Sequence, residues 1–377
     1  MTTYDVAVVG AGAMGSAAAR ALAAAGREVV VLEQYHLGHT RGGSHGGTRL
    51  FRLAVDDPET LRLAERAREL WRELEAESGE TLLEITGGLD HGVDQGTVET
   101  FSDLFGGQGI EHEVLDPDEA AERWPGMRFE SRVLFQPGAG RLYADRTVQA
   151  LQTVAASLGA EFRPHSPVKA MRVVTAGDGY GDGLVELGLP GGAVRARQVV
   201  VTIGPWAPKL LAGLVALPPL RITQEQPRFF TPVSAGLAWP SFVHWRRGSG
   251  LLGSAESYGL FESGSGVKVG LHATGPVVDP DSRDFEVEPS ADRELLRYVE
   301  EWFPGLDPNQ STAISCLYDN TPSDNFVIDR VGPISVATGF CGQGFKFVPL
   351  IAEFLTDLVT GDGAAPPRYQ LRSHLSD

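Results

Sequence analysis

The sequence predicts an α/β protein: a Rossmann-type dinucleotide-binding domain into which a mixed-sheet, α+β substrate domain is inserted. From Tyr4 to Glu33 the chain reads as strand, glycine-rich turn, helix, strand and terminal acid. Short β-branched runs of the same buried character return at Val199 to Ile203, whereas 89–140 and 220–315 have a mixed, alternating pattern rich in aromatics. At 377 residues the chain is longer than one hydrophobic core normally organises, and 42% hydrophobic content is ample for two. The expected division is 1–88, 141–219 and 316–377 for the nucleotide domain, and 89–140 and 220–315 for the substrate domain.

Val6 to Val9 is too short for a helix and reads as a buried strand. Gly10, Gly12 and Gly15 follow at the G-x-G-x-x-G spacing. One glycine makes the tight turn, one lets backbone approach a pyrophosphate and one lets helix pack on strand. Met14 to Ala25 gives a small-residue helix that stops at Gly26, and its N-terminus offers free N–H groups to phosphates. Glu28 to Leu32 is the next strand, and Glu33 at its end is placed to accept from a ribose hydroxyl. NAD and FAD share this pattern.

The stretch from His36 to Arg52 is too glycine-rich for a regular element, yet holds three histidines and three arginines. Beside the fingerprint it reads as a loop folded over the cofactor, with Gly46 and Gly47 approaching the ring system. His45 has no partners at metal-ligand spacing, and no metal is expected. Leu63, Ala67, Leu70, Trp71 and Leu74 recur at helical spacing with charges between them, giving an amphipathic helix. Asp116 and Pro117 start another helix, and Asp145 is placed to cap one whose stripe is Val148, Leu151, Ala155 and Leu158. Val168 to Val174 and Leu184 to Leu189, joined by a Gly/Asp loop at Gly177 to Gly183, suit a β-meander. Within the second excursion, Gly266 to Gly270 reads as a strand on which Lys268 faces away from its two valine neighbours. Most strand lysines point to water.

A formal net charge of −17 argues against nucleic acid or an anionic membrane as partner, since either would need a basic face. No apolar run is long enough for a membrane span, and the first strand begins at residue 4, so a cytoplasmic protein is expected, and the chain is read as a monomer. Cys316 and Cys341 are too few for a disulfide framework.

Several motifs in order carry a resemblance over nearly the whole chain: the fingerprint, the His39 to Arg52 loop, Gly204-Pro205-Trp206, Lys268-x-Gly270-x-His272, Cys316-x-Tyr318-x-x-Thr321, and the turn from Gly339 to Lys346. The chain resembles the amine-oxidising flavoproteins related to monomeric sarcosine oxidase and N-methyltryptophan oxidase, within the D-amino-acid-oxidase-like group. The resemblance implies FAD, held covalently through its 8α-methyl carbon by Cys316, with Cys341 as the competing thiol. It implies that Lys268 sits over the flavin for reaction with O₂, that His272 is the active-site histidine and that Arg49 lies beside the flavin. Arg52 and Lys346 match a pair that binds the substrate carboxylate; the alternative is that Arg52 pairs with a nearby acid and Lys346 is solvated. His45, Thr48, Val168, Gly342 and Gly344 fall among the matched cofactor contacts. Cys341 and Gln343 stand where the family turn often carries serine and histidine. No counterpart of the family's active-site tyrosine precedes the Gly266 strand, where Leu251 and Leu252 stand. The implied activity is oxidation of a secondary amine, an N-methyl or cyclic amino acid, with release of hydrogen peroxide. A dehydrogenase using another acceptor, a tRNA-modifying enzyme of the same fold group and a non-catalytic flavoprotein subunit are the rivals.

Overall fold

The computed structural model describes residues 3–55, 57–92, 95–174, 183–247 and 254–375. Its first strand, Thr3–Val9, lies between Val29–Leu32 and Gly192–Val201, parallel to both, in an eight-stranded sheet. The parallel set is completed by Glu161–Arg163 beside Val29–Leu32 and Ile334–Thr338 beside Gly192–Val201. Strands buried on both faces need no alternation, which is why Val199, Val200 and Val201 are all fully buried. The crossover helix Ala13–Ala24 packs on this sheet through alanines, whose small side chains let it come close. A β-carbon on Gly15 would lie 1.8 Å from the Gly10 carbonyl, and Gly10 itself sits at φ +96°. No side chain is admissible at either position.

A second eight-stranded sheet has the order Leu306–Ala313, Arg228–Pro232, Gly266–Leu271, Ser254–Glu262, Ser241–Arg247, Gly88–His91, Val133–Gln136, Glu113–Leu115. Its strands thus come from two separate stretches of chain. They join where Ser241–Arg247 pairs in parallel with Gly88–His91, every other pairing in the sheet being antiparallel. Two small sheets sit between the large ones: Thr48–Phe51, Gly140–Tyr143 and Leu83–Ile85 form one, and Arg221–Glu225 pairs with Cys316–Asn320 in the other.

The amphipathic helix runs over Pro58–Ser78, capped by Asp57, which accepts from the N–H groups of Glu59 and Thr60, and closed by Gly79 at φ +72°. It buries Leu61, Leu70, Trp71 and Leu74, each contributing on the order of 1.5–3 kcal/mol by removal from water. Trp71 also donates its indole N–H to the Lys346 carbonyl at 2.8 Å and stacks on Phe345, so this helix fixes the last turn of the site.

Three readings of the sequence need adjustment, and the expected β-meander is present. The His36 to Arg52 loop ends in a strand, Thr48–Phe51, because Thr48 to Phe51 find ladder partners in Gly140–Tyr143. Asp145 is not a cap: the helix Ala144–Ser157 starts one residue earlier, and the Asp145 carboxylate instead accepts the Gly46 N–H at 2.8 Å. The second excursion contains a helix, Pro289–Trp302, with Glu288 accepting from Ala291 N–H at its start. The strands Ala170–Val174 and Leu184–Leu189 pair antiparallel, while most of the Gly177 to Gly183 loop lies outside the described residues, as do Leu251 and Leu252.

Candidate active site

One cavity of about 900 Å³ runs between the two large sheets. Its nucleotide end is made mostly of backbone. Gly10, Gly12, Glu33 and Val168 line it, but Gly15 does not, since its work is to let the helix meet the strand. Glu33 accepts the N–H groups of Ala11 and Tyr35, each at 2.9 Å, and lies 3.4 Å from His39. Burial alone would raise its pKa, yet the hydrogen bonds from His39, Ala11 and Tyr35 outweigh that and hold it below the usual carboxylate range. An ionised acid at this strand end accepts hydroxyls and donates none.

The polar loop covers the middle of the cavity. Gly42, Gly43, Ser44 and His45 line it, whereas Gly46, Gly47 and Thr48 do not. Gly47 instead abuts the Glu262 carboxylate, which occupies the space a β-carbon would need, and Thr48 donates its hydroxyl to that carboxylate at 2.8 Å. Arg49 ties the loop together by donating to the carbonyls of Thr48, Gly43 and His45, and its guanidinium lies over the Phe345 ring. His45 is half-buried, with its Nε2 buried and without a partner among the described residues, and burial with the charges of Arg49 and Arg283 pushes its pKa down to about 4. A neutral imidazole with an orphaned nitrogen at the cavity wall fits a bound heterocyclic cofactor. So do the open backbone at Gly10 and Gly12 and the acid at Glu33.

The far wall is one face of the second sheet. Glu256, Tyr258 and Leu260 alternate along Ser254–Glu262, so all three point to the cavity. Across the ladder, Lys268 pairs with Leu260 and Gly270 with Tyr258, and His272 donates its N–H to the Glu256 carbonyl at 2.8 Å. Lys268 and His272 line the cavity, while Val267 and Val269 go the other way into a core with Phe230 and Phe242. Lys268 is only 3% exposed; its ammonium donates to the Thr48 carbonyl at 2.5 Å. Burial, with Arg49 nearby, pushes its pKa down to about 7.

Tyr258 is the residue missed in the sequence. A cavity tyrosine does precede the lysine strand, ten positions before Lys268, and its ring packs over Gly270, where a β-carbon would lie 2.7 Å from it. That glycine directly across the ladder was the available signal. Tyr258 hydrogen-bonds with Tyr318, and burial raises the pKa of both phenols. Tyr318 in turn lies against His272, with ring centroids 5.4 Å apart, and against Gly342, whose φ of +71° and contact with the ring leave no room for a side chain.

Cys316 lines the cavity, opposite Glu225 in the small sheet. Burial raises its thiol pKa, against the pull of Arg49, Lys268 and Arg283. Cys341 does not line the cavity: its sulfur is turned toward the Gly339 and Asp319 carbonyls and Thr321, and burial pushes its pKa up to about 11. Gly342, Gln343, Gly344 and Lys346 follow on the cavity wall.

The substrate end holds charges in apolar surroundings. Arg52 is paired with Asp90 at 3.0 Å, donates to the Ala54 carbonyl and lies over the Trp245 ring. Asp90 is 1% exposed and also accepts from Gln136 and Trp245. Of the two alternatives for this pair, the acid partner of Arg52 is present, but Lys346 is not solvated. It is 7% exposed, has no hydrogen-bond partner for its ammonium among the described residues, and is pushed down to about 7 by burial and by Arg52.

The family model described as FAD dependent oxidoreductase matches residues 5–358. Monomeric sarcosine oxidase of Bacillus sp. (strain NS-129) is 32% identical over 373 residues, covering 95% of this chain and 93% of that protein. Human peroxisomal sarcosine oxidase is 31% identical over 371 residues, with 94% and 92% covered. Among solved structures, the open form of NikD, an amino acid oxidase of nikkomycin biosynthesis, superposes with a TM-score of 0.83 at 24% identity, over 98% of this chain and 96% of that one. L-proline dehydrogenase from P. horikoshii gives 0.81 at 22% identity, over 99% of each chain. These structures share the fold.

Proposed function

The chain belongs to the FAD dependent oxidoreductase family, and from that premise we propose that it is an oxidase of secondary amines, taking an N-methyl or cyclic amino acid and releasing hydrogen peroxide. When bound, FAD supplies acceptance of a hydride equivalent from the C–H bond beside an amine nitrogen and its delivery to O₂. Gly10, Gly12, Glu33, Val168, His45, Gly342 and Gly344 would hold the cofactor, and Cys316 would attach it. The observation that carries the oxidase reading is Lys268, buried on the cavity wall, aimed by the Thr48 carbonyl and cationic below about pH 7. A fixed positive charge stabilises the negative charge that develops on oxygen during reduction. Lys346, with the part of the Arg52 fork not used by Asp90, would receive a carboxylate, and the tyrosine pair with His272 would orient the amine beside it.

Anaerobic addition of sarcosine, N-methyl amino acids and cyclic amino acids to the purified yellow protein tests this. At least one should bleach the flavin, and readmitted air should restore the colour with stoichiometric peroxide. If no amine bleaches it, or if colour returns only with an artificial acceptor, the oxidase reading fails. Acid precipitation checks the attachment: wild type should give a yellow pellet and Cys316→Ser a white one, whereas a yellow Cys316→Ser pellet excludes this thiol.

A further inference from the structure

Two acids share the cavity-facing row of Ser254–Glu262: the Glu262 carboxylate accepts from Thr48, while Glu256, next to Tyr258 and Leu260, lines the cavity. In cross-strand register it stands between Trp245 on one side and His272 on the other. Asp90, the other carboxylate at this end, is satisfied by Arg52, Gln136 and Trp245. The carboxylate of Glu256 has no hydrogen bond or ion pair among the described residues, although it is half-buried and its charge reaches Lys346 and Asp90. A carboxylate held in a binding chamber without a partner is costly unless a ligand supplies one.

The amine that reacts is a poor candidate for that partner. A carboxylate held against it raises its pKa and keeps it as ammonium, with no lone pair to drive loss of the adjacent hydride. We infer that Glu256 receives a second positive charge on the substrate, separate from the oxidised nitrogen, so that the preferred substrate is an amino acid with a basic side chain. This rests on the amine-oxidase reading and narrows it. Lys346 and Arg52 then take the carboxylate, while Glu256, paired across the ladder with the Trp245 over which Arg52 lies, takes the distal cation.

Two arms test it. In the first, calorimetry measures binding of ω-amino carboxylates of graded length, and of the matching alkyl carboxylates, to the oxidised holoenzyme. The best ω-amino compound should bind about tenfold tighter or more than its alkyl partner, equal to about 1.4 kcal/mol. Glu256→Gln, and as a second variant Glu256→Leu, should erase the preference. In the second arm, kcat/KM is compared for Nα-methyl-lysine and Nα-methyl-norleucine, with the same loss of preference expected in both variants. Equal binding of the two carboxylate series by wild type, or a preference that survives in both variants, overturns the assignment. The binding arm needs no turnover, so it decides the role of Glu256 even where no amine bleaches the flavin and the oxidase reading itself has failed.

Discussion

The nucleotide end of the cavity is built from backbone close together in sequence, and the substrate end from side chains far apart in it. Gly10, Gly12 and Glu33 fall within one strand-helix-strand unit, whereas Arg52, Asp90, Glu256, Lys268 and Lys346 arrive from five segments. The first end works by leaving space, so a single added carbon can abolish it. The second works by charge in an apolar surround, so it should weaken by graded steps.

The sharpest way to break this contrast is at Gly15. A β-carbon there would overlap the Gly10 carbonyl at 1.8 Å, and neither backbone can yield without separating helix from strand. Gly15→Val should therefore purify without flavin, as the ratio of flavin to protein absorbance reports. Gly12→Ala is the contrasting variant: its β-carbon meets no backbone, only the Ser44 hydroxyl at 2.9 Å, which accepts the Ala13 N–H at 3.0 Å, so it obstructs the approach of the cofactor without separating helix from strand. Gly15→Val should thus lower the thermal midpoint as well as the flavin content, and Gly12→Ala the flavin content alone; equal thermal midpoints in the two variants would make the steric account wrong.

At the charged end the largest effect is expected at Lys268. Met keeps the stem and deletes the charge, so reduction by amine should persist while reoxidation by O₂ slows by about 10²–10³-fold, the usual loss for one preorganised electrostatic group. Stopped-flow reoxidation equal to wild type would make the lysine structural, holding the Thr48 carbonyl and no more.

Lys346 comes next. Lys346→Met should lower binding of an amino-acid substrate relative to its decarboxylated amine by about 1.5–3 kcal/mol, the range of a hydrogen bond to a charged group. It is a cleaner probe than Arg52, whose removal also strands the buried charge of Asp90. An unchanged acid-to-amine ratio in Lys346→Met excludes this lysine from the carboxylate site.

The same contrast explains what the sequence disclosed. The dinucleotide unit was legible because its constraints are local: a glycine at φ +96° and an acid at a strand end leave marks at fixed spacing. The burial of Lys268 was not, since between two valines it looks like any strand lysine. Only the pairing of Gly266–Leu271 with Ser254–Glu262 and Arg228–Pro232 makes that strand central, with one face in a core and the other in the cavity. Tyr258 escaped for a related reason, since what places it is the space above Gly270 on another strand. Asp145 was misread because a helix start and a polar loop compete for the same carboxylate, and the Gly46 N–H won.

The smallest effect, and the finest test of the charged end, is its pH dependence. Burial depresses Lys346 to about 7, so its ammonium is present below that pH and lost above it. Affinity for a carboxylate ligand should thus be flat in acid and fall by up to tenfold per pH unit above about 7, as each binding event must also return a proton to the lysine. The stability of the free protein runs the opposite way. The unfolded lysine holds its proton up to its ordinary value while the folded one has released it, so between about 7 and about 10.5 stability should rise with pH. Lys268 is depressed to about 7 as well and adds to the stability trend, but it has no part in carboxylate affinity. Titrating a non-oxidisable carboxylate in buffers of different ionisation enthalpy separates the two lysines. Wild type and Lys268→Met should take up a proton on binding above pH 7, and Lys346→Met should not. Proton uptake that persists in Lys346→Met would put the titrating charge elsewhere, and the substrate end would then owe its charge to Arg52 alone.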